Sequence, residues 1–513
     1  MSFRALLGNT SFKSSAYSLR IGIGAATFGA ATVFCLTAPR HAQAQVAPEK
    51  GTLAPYTDAT RADKIVRLPG APWEVPFRQF AGYLQVDKKN NRNIFYWFVE
   101  AEVDPDHAPV AFWTNGGPGC SGLIGFLSEH GPFRPHKDGK TLKRFPYSWN
   151  KLANMVYIEA PAGVGFSYSD VASDYYTDDA HTAADNYTAI LAFFAKFPHL
   201  ASRDTYITSE SYGGHFMPTL AKAIVDGNAA GQNPSINFKG FLVGNPYNDS
   251  SSNTSGVFQT FCGHSVAPKP ECDAYLIACT ADPQSDACNA AETALGNAPG
   301  GLDAYALDFP TCAESSQATA LKHYVGKISG RGRAALLWSH AGHVGPYDPC
   351  ADDELTKYLN QADVITAIHA VVRQPWAECS SIVQYGSSTD LDSMTPIYQY
   401  LAEKAPALHI TVYSGDDDSV CPTLGSQIWM YDLNKSQPPA DATPPWQVWH
   451  YTDSKYGPQI GGYHVKWPNV DLVTAHGAGH MVPASQPEKG FALWNNYLSG
   501  KIPVAPSNWG AFR

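Results

Sequence analysis

A nucleophile, an acid and a base stand in this chain in the order Ser211, Asp418, His480. Ser211 lies in Ile207-Thr-Ser-Glu-Ser-Tyr-Gly-Gly-His215, where a β-branched run gives way to two glycines. β-Branched residues favour extended backbone and glycine admits a tight turn. The segment therefore reads as a strand, a turn with the serine at its apex, and a helix start. Such a turn lifts a hydroxyl clear of a sheet, beside backbone N–H groups. The glycine usual two positions before such a serine is here Ser209. Gly415-Asp-Asp-Asp-Ser-Val-Cys-Pro422 follows an apolar run and offers three carboxylates. Asp418 is chosen because a G-x-x-D turn aims its last carboxylate back across the sheet edge; Asp416 and Asp417 cap the turn or face solvent. Gly477-Ala-Gly-His-Met-Val-Pro483 supplies His480 as the base. His476 lies four residues earlier, but no acidic partner follows it as in H-E-x-x-H, so no metal is expected.

The elements that must hold these residues alternate between strand and helix. A hairpin is expected within residues 77–103, around the polar turn Asp87-Lys-Lys-Asn-Asn-Arg92. Val110–Thr114, Asn154–Glu159, Thr205–Thr208, Phe238–Val243 and Leu408–Tyr413 read as buried strands. Asp178–Phe197 and Phe216–Val225 read as helices. This alternation, with the order Ser…Asp…His, predicts an α/β class chain with an α/β-hydrolase fold. The central sheet is expected to be largely parallel, with helices on both faces. Residues 250–355 are rich in Ser, Ala, Asp and Cys without strand alternation, and read as an inserted, disulfide-rich cap. The expected division is a signal peptide at 1–44, catalytic domain at 45–249 and 356–513, and the cap between.

Export is legible at the N-terminus. Arg4, Lys13 and Arg20 precede an apolar run from Ile21 to Ala38, and Ala42-Gln43-Ala44 fits a small-x-small cleavage site. The run is broken by Gly22, Gly24 and Gly29, which disfavours a lasting membrane span. The formal net charge is −10, and removing the four basic residues of 1–44 brings it near −14. Such a chain, without basic clusters, is a poor partner for nucleic acid or anionic membranes. Beyond Cys35 nine cysteines remain, six of them between 262 and 350. None is spaced C-x2-C, so disulfides in an oxidising compartment are expected rather than zinc. An odd number leaves one thiol over.

Several longer stretches carry a family resemblance. They are Trp113-Thr-Asn-Gly-Gly-Pro-Gly-Cys-Ser121, Glu129-His-Gly-Pro132, Glu159-Ala-Pro-Ala-Gly-Val-Gly-Phe-Ser-Tyr168 and Glu210-Ser-Tyr-Gly-Gly-His-Phe-Met-Pro218. Gly244-Asn-Pro246, Tyr358-Leu-Asn360, 415–421 and 479–483 add to them. With these the chain resembles the serine carboxypeptidase family from about residue 76 to 500. The resemblance implies a triad of Ser211, Asp418 and His480, and an oxyanion hole from the N–H groups of Gly117 and Tyr212. It implies that Asn115, Gly116, Glu129 and Glu210 bind the free carboxylate of a peptide. Cys421 and Met481 are placed beside the substrate, Cys421 as the leftover thiol, and Cys120 with Cys379 as a disulfide. Two neighbouring glutamates can receive an anion only if they share a proton, because like charges raise one pKa. The implied activity is removal of C-terminal residues from peptides or proteins without a cofactor, by a monomer or homodimer. The same scaffold also hosts acyltransferases and a lyase, so the reaction is not settled by fold. One departure is Gly122, where the family often has serine; it is expected to loosen the following helix start.

Overall fold

The computed structural model describes residues 56–232, 234–311, 352–386, 393–435 and 446–501. A ten-stranded sheet runs through them. Strands β1 (Gln79–Asp87) and β2 (Arg92–Val99) form the expected hairpin. Next come β3 (Val110–Thr114), β4 (Asn154–Glu159), β5 (Thr205–Glu210), β6 (Phe238–Gly244) and β7 (His409–Gly415). The last are β8 (Gln447–Asp453), β9 (Gly457–Lys466) and β10 (Asp471–Ala475). In space the order is β1-β2-β4-β3-β5-β6-β7-β10-β9-β8.

From β4 to β10 in that order every neighbouring pair is parallel. The strands outside that block pair antiparallel, so the sheet is mixed. The parallel centre matches the expectation. The antiparallel edge after residue 446 was not read from sequence, because Gly457, Pro458, Gly461 and Gly462 break the alternation of β9. The Pro-rich stretch 437–445 lies outside the described residues.

Parallel strands covered on both faces lose polar alternation. Strand β4, Asn-Met-Val-Tyr-Ile-Glu, is buried at every position. Against one face, Phe112, Val156, Ile207 and Val243 pack with helices α1 (Asp179–Lys196) and α2 (Gly213–Ala229). Asp178 caps α1 by accepting the N–H of His181. Against the other face, Trp113, Tyr157, Leu242 and Val473 pack with Leu493, Trp494 and Tyr497 of the C-terminal helix Pro487–Ser499.

Residues 250–296 fold as three helices, α3 (Ser250–Gly263), α4 (Lys269–Ala281) and α5 (Asp286–Gly296). They share a small apolar cluster of Val257, Phe258, Phe261, Tyr275 and Leu295. Disulfides Cys262–Cys272 and Cys279–Cys288 staple them. Cys312 and Cys350 lie outside the described residues, as does the expected targeting segment. No helix of the described residues is long and apolar enough to cross a membrane.

Candidate active site

Ser211 follows the last residue of β5 in left-handed backbone, with φ at +61°. For a residue with a Cβ this conformation costs about 1–2 kcal/mol. The surroundings hold it there. Its N–H donates to the Gly244 carbonyl at 2.9 Å, and its carbonyl accepts from Gly214 and Tyr247 at 2.9 and 2.8 Å. The loop after β3 presses on this turn. A Cβ on Gly116 would lie 2.5 Å from the Tyr212 nitrogen and 2.8 Å from Ser211 Cβ, so only glycine permits the approach. Gly122 is fixed likewise, since its Cβ would lie 2.3 Å from the Ile158 carbonyl oxygen. The expected loosening is therefore corrected: this glycine is demanded by packing.

Asp418 and His480 come together from the ends of β7 and β10. His480 Nδ1 bonds Asp418 Oδ2 at 2.7 Å, with both side chains buried. An ionised carboxylate only accepts, so Nδ1 carries the hydrogen and Nε2 is left to take a proton. The carboxylate also accepts the N–H of Val420 at 2.7 Å, the N–H of Cys421 at 3.1 Å and Asn245 Nδ2 at 2.8 Å. Asn245 was assigned no role from sequence. It sits just past β6, at the carboxyl ends of the parallel strands, where such sheets place their sites. The His480 N–H donates to the Tyr305 carbonyl at 2.7 Å, so the segment after α5 supports the base.

The other aspartates of the turn behave differently. Asp416 holds His476 Nδ1 at 2.7 Å and the Gly477 N–H at 2.6 Å. Asp417 neither faces solvent nor closes its own turn. It is buried, and it accepts the Asp308 N–H at 3.1 Å. Burial pushes its carboxyl up to about 6. His476 and His480 are thus bound to separate aspartates. Apart from them, His264, Asp308 and Asp417 bring three ligand-type atoms within 4.8 Å of one another, with His264 and Asp308 exposed.

Cys421 is a free, buried cysteine whose N–H donates to Asp418. Burial, then the charge of Asp418, pushes this thiol well above its usual range. It is held as a thiol, not a thiolate. Met481, next to the base, is also buried at 5 % exposure. Cys120 and Cys379 are disulfide-bonded, as the resemblance implied. The N–H groups of Gly117 and Tyr212 flank the nucleophile turn, and among the described residues neither is taken up by a protein acceptor.

Beside Ser211 lies a buried polar cluster. Asn115 Nδ2 donates to Glu129 Oε1 and Glu210 Oε1, both at 2.9 Å. Asn115 Oδ1 is oriented by Trp113 Nε1 at 2.7 Å and the Gly125 N–H at 3.0 Å. The remaining oxygens, Glu129 Oε2 and Glu210 Oε2, have no hydrogen-bond partner among the described residues. Asn115 thus holds two buried carboxyls together, and like charges so placed disfavour ionisation of both. Burial, then the charge of Glu129, raises Glu210 well above the carboxylate range, and burial raises Glu129. A third buried carboxyl, Glu159, accepts from Ser121 Oγ, from the Phe166 N–H at 2.6 Å and from Trp376 Nε1 at 2.7 Å. Burial pushes it up to about 7.

The family model described as serine carboxypeptidase matches residues 69–500. Serine carboxypeptidase-like 26 of Arabidopsis thaliana is 37% identical over 449 residues, covering 86% of this chain and 93% of that protein. P-(S)-hydroxymandelonitrile lyase of Sorghum bicolor is 34% identical, covering 87% of this chain and 86% of that protein. The crystal structure of Kex1(Δ)p, a prohormone-processing carboxypeptidase from Saccharomyces cerevisiae, superposes with a TM-score of 0.66. It is 18% identical and the match covers 87% of this chain and 98% of that one, which shows a common fold. With a match running through both halves of the sheet and every segment of the site, this chain belongs to the serine carboxypeptidase family.

Proposed function

We propose that the protein is a serine-type carboxypeptidase that removes C-terminal residues from peptides through an acyl-enzyme on Ser211. The carrying observation is the buried Asn115–Glu129–Glu210 cluster, where one amide holds two carboxyls together and burial raises both. A protonated carboxyl and an amide can donate to a peptide's terminal carboxylate; two ionised carboxylates would repel it. Ser211 Oγ then attacks the last peptide carbonyl while His480 Nε2 takes its proton. Asp418 holds the imidazole and stabilises the cation that forms. The N–H groups of Gly117 and Tyr212 receive the oxyanion. His480 returns the proton to the leaving amine, and water repeats the sequence to release the shortened peptide. Residues 250–311 are assigned to the cap, and within them the Tyr305 carbonyl accepts the His480 N–H. Cleavage after Ala44 and export to an oxidising compartment suit the three disulfides.

The Sorghum relative named as a lyase makes lyase chemistry the second reading. The test is digestion of a defined peptide library, with the new C-termini read by mass. Stepwise loss of single C-terminal residues, absent in Ser211→Ala, is the expected result. Intact C-termini alongside cleavage of a cyanohydrin would replace the peptidase with the lyase.

KM measured against pH for a blocked peptide and for its C-terminal amide probes the cluster directly. Glu129 and Glu210 are both raised, so a proton stays on the pair under mildly acidic conditions and is lost as pH rises. Peptide KM should then climb, and amide KM should change much less. Glu210→Gln should flatten the peptide profile.

A further inference from the structure

Asp179, the first residue of α1, is a buried carboxylate that the reaction does not use. Its Oδ2 is bonded to His215 Nδ1 at 2.9 Å, and its Oδ1 accepts the Tyr385 hydroxyl at 2.7 Å. An ionised carboxylate only accepts, so Nδ1 carries the hydrogen and one side chain fixes two donors from two other segments. Its place at the N-terminus of α1 favours the anion. His215 is buried in the first turn of α2. Tyr385 arrives from 206 residues away, because the short strand Gln384–Tyr385 pairs in parallel with Tyr176–Thr177 just before α1. Both donors carry rings that pack on Tyr212. The His215 imidazole stacks on the Tyr212 ring, with centroids 4.7 Å and planes 19° apart, and the Tyr385 ring meets it edge-on at 5.5 Å and 80°. Tyr212 is the N-cap of α2 and makes no side-chain hydrogen bond to the helix. The polar side chain that ordinarily fixes an N-cap residue is absent there, and ring contacts take its place.

Resting on the carboxypeptidase reading above, we propose that Asp179 is a positioning residue for the oxyanion hole. Through His215 and Tyr385 it clamps the Tyr212 ring, and so aims the Tyr212 N–H at the oxygen that becomes negative in the reaction. Ring and N–H belong to one residue with few rotatable bonds between them, so holding the ring limits rotation of that peptide. The peptide needs holding, because Ser211 immediately before it is in left-handed backbone at φ +61°. On the other side Tyr247 donates its N–H to the Ser211 carbonyl at 2.8 Å, and its ring lies parallel to that of Tyr212 with centroids 6.2 Å apart. The oxyanion exists only in the transition state and the tetrahedral intermediate. A misaimed donor therefore slows the chemistry and leaves substrate binding nearly intact. Asp179 touches no reacting atom; it acts through Tyr212.

The experiment measures inhibition by a peptide aldehyde and by the matching peptide alcohol, alongside kcat and KM, in wild type, Asp179→Ala, Asp179→Asn and Tyr385→Phe. Ser211 Oγ adds to the aldehyde carbon while its proton passes to His480, and the former carbonyl oxygen becomes the oxyanion. The alcohol has no carbonyl to add to. Neither compound carries a terminal carboxylate, so the glutamate cluster does not enter the comparison. In Asp179→Ala, kcat and the preference for aldehyde over alcohol should each fall about 10- to 100-fold, with KM and alcohol binding changed less than about threefold. Asp179→Asn should recover most of both, since its amide oxygen can accept from Nδ1 and its NH2 group can donate to the phenol oxygen. A folded Asp179→Ala protein that keeps the wild-type preference overturns the proposal, whatever its melting temperature, because the contacts would then serve stability alone. An Asp179→Asn protein no better than Asp179→Ala overturns it too. Should Asp179→Ala not fold, Tyr385→Phe decides. It keeps the ring and loses the tether, and should lower the aldehyde preference about three- to tenfold; an unchanged preference overturns the proposal. A wild type that binds aldehyde and alcohol equally would instead remove acyl chemistry on Ser211, and the proposal with it.

Discussion

Asp418 carries four donors: His480, Asn245 and the N–H groups of Val420 and Cys421. This explains why three consecutive aspartates are not equivalent. Asp418→Asn should lower kcat about 10^3- to 10^4-fold, because an amide can present its N–H to Nδ1 and enforce the wrong tautomer. Asp416→Asn touches only His476 and Gly477 and should change kcat by less than about threefold. Steady-state kinetics on one ester substrate checks both, and equal losses would remove Asp418 from its role. Ser211→Ala should cut kcat about 10^6-fold. Its melting temperature should hold or rise slightly, although alanine keeps the +61° backbone strain, because only a hydroxyl is lost. Wild-type turnover in this variant would place the nucleophile elsewhere.

At the scale of elements, the site is made by close approaches between segments. The loop after β3 meets the turn after β5 at Gly116, and its continuation meets β4 at Gly122. Gly122→Ser would drive a Cβ to 2.3 Å from the Ile158 carbonyl oxygen, against backbone that cannot rotate away. It should cost about 1–3 kcal/mol, read as a drop in the denaturation midpoint, and should lower activity by shifting the neighbouring oxyanion loop. An unchanged midpoint would show that the loop has slack. The nucleophile turn itself was legible, because β-branched residues followed by Ser-Tyr-Gly-Gly have few other backbone solutions. Helix α2 nonetheless starts at Gly213, three residues before the predicted start, since the apolar periodicity begins only at Phe216 while the helix needs the turn glycines as its first residues.

Across the described residues, buried carboxyls with raised affinity for protons recur: Glu100, Glu129, Glu159, Glu210 and Asp417, with the half-buried Asp185 beside them. Each binds its proton more tightly folded than unfolded. Between the unfolded and folded values the native state holds more protons, so stability falls as pH rises through that window. For Glu159 the window runs from its ordinary 4.5 to about 7 and corresponds to about 3 kcal/mol. The melting temperature should therefore peak at mildly acidic pH and decline toward pH 8, with a shallower decline in Glu159→Gln. A melting temperature that climbs from pH 5 to 8 would contradict this.

The sequence by itself determined the candidate residues and the elements that carry them. Residue type and chain order selected Ser211, Asp418 and His480, and the alternation of buried strands and helices selected a parallel sheet to carry them, because local backbone preference and hydrophobic period are properties of short segments. What only the tertiary structure decided was partnership across long separations. Asn245 reaches Asp418 over 173 residues, Tyr305 braces His480, and Asp417 turns inward to Asp308. A charge acquires its protonation state from the dielectric and the charges around it, and those are assembled only when distant segments pack.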